Sequence, residues 1–239
     1  MKLYDEVISK IIGLTNQNNP TQLLANRTDW PLVSDRSMIL RSEMAYELGC
    51  DLFPGFGATI LTDNAELVPK DEIVLCGEDL NALKENRAYI RCALVRVRDA
   101  AVGEGNALYN AIRKMEYIRY HFYPEGFMMR VSASKNKESV RISRAALGNG
   151  LDFSKVGSRM VEAFHENPAV EAVKIIYVTQ KDFPYKDMEL LFAQSEEITK
   201  TIDHMLRDVN MDCNVCNLKS VCDEVEGLRE LHYGNNKTK

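Results

Sequence analysis

The sequence predicts an α+β fold, or a mixed-sheet α/β variant of it. Helices pack on a mixed sheet, and a small cysteine-rich module follows the last helix. Three observations carry this expectation. Runs such as EIVLC at 72–76 and AVKIIYV at 172–178 are short and rich in β-branched residues, as buried strands are. Segments with apolar residues at helical spacing separate them. Strands and helices do not alternate strictly toward the N-terminus, which argues against an all-parallel sheet.

Taken in order, residues 3 to 14 place Leu3, Val7, Ile8, Ile11 and Ile12 at helical spacing, and the polar stretch Thr15 to Thr21, with Pro20, ends that helix. Asp51 to Gly57 contains Pro54, Gly55 and Gly57 and reads as a turn-rich connection. Glu72 to Cys76 is a strand. Ala88 to Val97 alternates with period two and is a strand with at least one covered face. Asp99 to Gly105 is a loop. Asn106 to Phe122 sets Leu108, Ile112, Met115, Ile118 and Phe122 along one helical stripe. Phe127 to Ala133 reads as a strand, Phe153 to His165 as a helix, and Ala172 to Val178 as a core strand. Pro184 opens a long helix through Leu206. Residues 1–208 therefore form one body, 209–232 an appended module, and 233–239 (YGNNKTK) a disordered tail.

A chain of 239 residues can bury a core without disulfide staples. Thirty Lys plus Arg against thirty-five Asp plus Glu give a charge of -5 and a pI near 5.5. No overall basic field gathers nucleic acid or an anionic membrane, so neither is an expected partner. Asp5 and Glu6 interrupt what would be a secretion signal, and no apolar run reaches membrane-spanning length. A cytoplasmic, reducing location is the expectation.

The cysteines divide into two groups. Cys50, Cys76 and Cys92 are scattered, and Cys76 and Cys92 fall on predicted core strands. Cys213, Cys216 and Cys222 lie within ten consecutive residues. A two-residue gap lets both thiolates of a tight turn face one metal or cluster. Nine residues separate His232 from Cys222, and Val225, Leu228 and Leu231 among them suit a short helix that would carry it back as the fourth ligand. This donor set suits structural Zn(II) and a [4Fe-4S] cluster about equally well.

Other constellations are weaker. Gly103 to Gly105 before a helix lacks the dinucleotide fingerprint. Lys135, Lys137, Arg141 and Arg144 could attract the phosphates of a nucleotide or coenzyme, although a solvated loop is the simpler reading. Tyr117, Tyr120, His121 and Tyr123, beside Arg113 and Arg119, read as packing at a helix end. No nucleophile, base and orienter assemble from sequence, so enzymatic activity stays open.

Residues 44 to 97 (MAYELGCDLFPGFGATILTDNAELVPKDEIVLCGEDLNALKENRAYIRCALVRV) resemble the opening of the beta-type acetyl-CoA synthase subunit of the carbon monoxide dehydrogenase/acetyl-CoA synthase complex. In that family an ELGG segment precedes a strand ending in Gly, an acidic residue and Leu, as Gly77, Asp79 and Leu80 do here. NALYNAIRKMEYIRYHF, FMMRVSASK, VKIIYVT and the last helix follow in the same order, so the resemblance spans roughly residues 40 to 232.

The resemblance implies a [4Fe-4S] cluster. Cys213, Cys216 and Cys222 match the family's first three cluster cysteines, with a shorter second gap, and His232 falls at the fourth. It also implies a cytoplasmic iron-sulfur protein of anaerobic one-carbon metabolism, with a redox or corrinoid protein as partner. The oligomeric state stays open. The family's outer nickel sits in a Cys-Gly-Cys segment, and here Cys76-Gly77 is followed by Glu78. The expectation is therefore a shortened relative with no two-nickel centre and no complete acetyl-CoA synthesis. A zinc-stabilised binding or regulatory module with a Cys3His site is the alternative.

Overall fold

A computed structural model describes residues 4–23, 38–50, 52–98, 106–122, 124–132 and 136–206. Within them the chain runs α1 (Asp5–Gln17), β1 (Thr21–Leu23), β2 (Met44–Leu48), β3 (Gly55–Thr62), β4 (Glu72–Cys76), β5 (Tyr89–Val97), α2 (Asn106–His121), β6 (Phe127–Val131), β7 (Glu138–Ser143), α3 (Arg144–Gly148), α4 (Phe153–His165), β8 (Val170–Val178) and α5 (Tyr185–Leu206). Helices packed on a mixed sheet are the expected architecture. The cysteine module at 209–232 and the tail at 233–239 lie outside the described residues.

The larger sheet has the order β1-β4-β8-β5-β3. β4 runs parallel to β8 and β3 parallel to β5, while β1 is antiparallel to β4 and β5 antiparallel to β8. Apart from the exposed edge strand β1, its strands are buried on both faces, which is why β4, β5 and β8 are nearly continuous apolar runs. Over one face lie α1 and α5. The Cys76 thiol donates to the carbonyl of Thr15 at 3.8 Å, and the Tyr4 and Thr199 hydroxyls join the two helices at 2.9 Å. Over the other face lie α4 and the smaller sheet. Phe153 stacks on Tyr177 with ring centroids 4.4 Å apart, and Gly157 sits flush on Ile73, where a Cβ would meet Cγ2 at 2.8 Å.

The smaller sheet is antiparallel, in the order β2-β7-β6. Tyr46, Leu48, Phe127, Val140 and Ile142 lie toward the core, and the alternate positions Glu47, Arg130 and Arg141 lie on the outer face. Capping fixes the two helices beneath it. The Ser143 hydroxyl accepts from Ala146 N–H to start α3, and the Asp152 carboxylate accepts from Lys155 N–H at 2.8 Å to start α4.

Several expectations are corrected. α1 continues to Gln17, and Thr21–Leu23 pairs with β4 instead of lying in a loop. The stretch read as a turn through Gly57 already contains the first residues of β3. The basic stretch read as a solvated loop contains β7. In both cases the misleading residues belong to one contact. Gly57 is bare because buried side chains cross it, and Glu138 is buried because a distant cation meets it.

Candidate functional site

That contact joins the two sheets. Arg91 on β5 and Glu138 on β7 are both fully buried. Arg91 Nε donates to both oxygens of Glu138, at 2.9 and 3.1 Å, and Nη2 donates to Oε2 at 2.7 Å. Nη1 donates to the carbonyl of Ala58 at 3.3 Å. The guanidinium thus engages the carboxylate along one edge, the geometry that makes arginine the usual partner for a buried acid. Glu138 holds the Arg91 guanidinium above its ordinary value, against the opposing effect of burial, so the pair is ionic.

Gly57 makes room for it. A Cβ there would come within 1.9 Å of Glu138 Oε2 and 2.9 Å of Arg91 Nη2. The Gly57 amide donates to the Asn136 carbonyl and its carbonyl accepts from Arg119 Nη1, both at 2.8 Å. The edge of β3 is thereby tied to the strand leading into β7 and to α2.

On the outer face of the smaller sheet, Glu47 is clasped by Arg130 and by Arg141, whose Nε lies 3.3 Å away. Arg141 also donates to the Ile39 carbonyl at 3.3 Å. The charges of Arg41 and Arg141 bear on Arg130, and its guanidinium falls below its ordinary value, first through desolvation and then through that repulsion. Two arginines on one carboxylate, with the charge of Arg41 felt at Arg130, leave an excess of positive charge that can hold carboxylate or phosphate oxygens.

At the carboxyl end of β4, Gly77 adopts φ +113° in tight contact with Thr179 and Gln180, a conformation and a space that only glycine fits. Asp79 follows. Its Oδ1 accepts from the backbone amides of Phe153, at 2.9 Å, and Leu80, at 2.6 Å. Burial raises its carboxyl above the ordinary value, although both amides pull the other way. Asp79 therefore binds the end of β4 to the start of α4.

The scattered cysteines are core thiols. Cys50, Cys76 and Cys92 are free and buried. Burial pushes the Cys76 thiol up to about 11 and that of Cys92 up to about 12, opposite to what a metal ligand needs. No group of three or more His, Cys, Asp or Glu among the described residues could hold a metal ion. Cys213, Cys216, Cys222 and His232 lie outside those residues. α5 ends at Leu206, seven positions before Cys213.

The basic stretch divides. Arg141 joins Glu47, Arg144 donates to the Met44 carbonyl at 3.2 Å, and Lys137 forms an isolated bridge with Phe56. Lys135, Tyr123 and Gly103 to Gly105 lie outside the described residues. Tyr117 packs against His121 with the rings tilted and centroids 4.2 Å apart, and Arg119 lies over the Tyr120 ring at 5.0 Å. This is the packing expected of them. Arg91, Glu138, Glu47 and Arg130 were not signalled by sequence, because each meets its partner across a long separation. A charged residue at a core-facing strand position was the one available hint. No helix among the described residues is long and apolar enough to cross a membrane.

Residues 34–183 match the family model described as the CO dehydrogenase/acetyl-CoA synthase complex beta subunit. The matched stretch takes in β2 through β8 and stops before α5 and the clustered cysteines. No curated protein matches the chain.

Proposed function

The chain belongs to the CO dehydrogenase/acetyl-CoA synthase complex beta-subunit family, and from that premise we propose that it is an iron-sulfur protein acting in electron transfer or as an accessory of anaerobic one-carbon or corrinoid metabolism. Cys213, Cys216, Cys222 and His232 would hold a [4Fe-4S] cluster. The single observation behind this is the donor set. Three clustered thiols follow the family scaffold, while Cys50, Cys76 and Cys92 are buried and the raised values of Cys76 and Cys92 make those two poor ligands. When bound, such a cluster supplies one-electron transfer. These 239 residues contain no Cys-Gly-Cys segment, so the proposal gives them no nickel pair and no complete acetyl-CoA synthesis. A redox or corrinoid protein is the proposed partner, and the cytoplasm the proposed location.

The body has its own part in this reading. The Arg91–Glu138 pair holds the two sheets in register, Asp79 fixes α4, and α1 anchors α5, the helix that precedes the cysteines. Purification of the full chain under strict exclusion of oxygen tests the proposal. About four iron and four sulfide per chain are expected. Stoichiometric zinc without sulfide overturns it in favour of a zinc-stabilised Cys3His binding module.

A second reading rests on the arginines around Glu47. Their excess positive charge suits the phosphates of coenzyme A, laid across the outer face of the smaller sheet. Isothermal titration of the reduced protein with coenzyme A should release heat, and Arg130→Ala should abolish it. A flat titration removes this reading and leaves the cluster proposal standing.

A further inference from the structure

Among the described residues, three buried hydroxyls meet no protein partner in full hydrogen-bond geometry: Tyr89 Oη, Tyr177 Oη and Thr59 Oγ1. Both tyrosines are 0% exposed and Thr59 is 8% exposed. All three lie on the face of the larger sheet that carries Arg91. Tyr177 is the register partner of Arg91 on β8, Tyr89 precedes Arg91 by two on β5, and Thr59 pairs with Ala93 two residues beyond it. The tyrosine rings are 6.4 Å apart.

Both phenols keep their protons, because burial raises them well above their ordinary value. The charges of Arg91 and Glu138 act on both, so both hydroxyls stand close to the ion pair. Glu138 lies within hydrogen-bonding reach of the Tyr89 hydroxyl and raises it further, but does not meet it in full hydrogen-bond geometry, and Tyr177 Oη has no such neighbour among the described residues.

The pair itself is incompletely used. A guanidinium has five N–H groups. Arg91 spends Nε–H and one Nη2–H on Glu138 and one Nη1–H on Ala58, which leaves one N–H on each terminal nitrogen. Buried polar groups in native proteins are almost always satisfied, by protein or by ordered water. Three hydroxyls and two spare N–H groups without a full protein partner therefore stand together on one sheet face.

The unmet groups define what would meet them. The N–H groups need an acceptor, and each hydroxyl both donates and accepts, so the occupant must do both. A cation is opposed by Arg91 and an anion by Glu138, so the occupant is neutral. It is small, since it must fit against fully buried side chains. We propose that one or more internal water molecules are bound at this seam, bridging the Tyr89, Tyr177 and Thr59 hydroxyls to the free N–H groups of Arg91. Buried waters make two to four such bonds and occur about once per 27 residues. The site couples three strands of the larger sheet, β3, β5 and β8, to the carboxylate that β7 contributes from the smaller one.

A high-resolution crystal structure of the full chain tests this directly. Solvent density is expected at hydrogen-bonding distance from Tyr177 Oη and from at least one of Tyr89 Oη, Thr59 Oγ1 and the Arg91 terminal nitrogens. Absence of density there, with the phenols bonded to protein atoms instead, overturns the proposal. In solution, oxygen-17 relaxation dispersion counts long-residence waters. The Tyr89→Phe/Tyr177→Phe double variant keeps both rings and should lose at least one. An unchanged count overturns the proposal as well.

Discussion

Replacing Glu138 with Leu would leave the Arg91 guanidinium charged and buried, with the Ala58 carbonyl the one protein acceptor left to it among the described residues. Removing one partner of a buried pair costs about 3–5 kcal/mol, because the remaining ion is neither solvated nor paired. Here the estimate belongs at the upper end, since both side chains are 0% exposed and three contacts of 2.7 to 3.1 Å vanish together. With a urea slope of about 3 kcal/mol per molar, a loss of about 4 kcal/mol lowers the unfolding midpoint by about 1.3 M. The double variant Arg91→Met/Glu138→Leu removes both charges and fills the space with apolar atoms, an exchange that is often neutral or stabilising by about 1–4 kcal/mol. It should recover most of the loss. Urea unfolding followed by circular dichroism, run on wild type, both single variants and the double, gives the complete cycle. The Arg91 guanidinium is raised in the fold. Its contribution is therefore fully present below its unfolded value, and the Glu138→Leu loss should not vary between mildly acid and mildly alkaline pH. A Glu138→Leu loss below about 1 kcal/mol, or a double variant as unstable as the sum of the singles, would refute the reasoning.

Gly57→Ala should strain the same pair from outside, lowering stability by about 1–3 kcal/mol in the same denaturation assay, and combination with the charge-free double variant should relieve much of that loss. Asp79 is raised by burial, so its contribution is greatest below its unfolded value of 3.8 and is lost as pH rises through the higher folded value. Asp79→Asn, which keeps an acceptor for the Phe153 and Leu80 amides, should flatten that pH dependence, while Asp79→Ala should cost about 1 kcal/mol at neutral pH. Alkylation at neutral pH should spare Cys76 and Cys92 in the native chain and reach them in denaturant, because their thiols titrate only at about 11 and about 12. Native labelling of either at the denatured rate, located by mass spectrometry, would contradict their placement.

The elements legible in the sequence were those whose signal is local. β4, β5 and β8 announce themselves by composition, α4 by an apolar stripe with Asp152 as its cap, and α5 by the Pro184 that precedes it. β3 was hidden by Gly55 and Gly57, which normally break strands but here admit other chains close to the backbone. β7 was hidden by Glu138 and Arg141, charges that read as solvated until Arg91 and Glu47, 47 and 94 residues away, are seen to meet them. The family resemblance drew on the strands and helices in their order, on Gly77, Asp79 and Leu80, and on the clustered cysteines; the family is borne out over residues 34–183, short of the last helix and those cysteines. The ligand set came from the spacing of Cys213, Cys216, Cys222 and His232 together with the resemblance, and stands as a proposal.

The place of β8 in the larger sheet has a consequence for how the molecule comes to be made. β4 and β5 do not touch as neighbours, since β8 lies between them and bonds to both. It arrives 73 residues after β5 ends. Of the larger sheet, a growing polypeptide that has released everything up to β7 can form only two separate ribbons, β1 with β4 and β3 with β5, each with a bare apolar edge facing the other. Such long-range closure is slow, and open edges of this kind invite pairing with other chains. Residues 170–178 thus act as a late keystone: until they are in place the larger sheet has a gap at its centre.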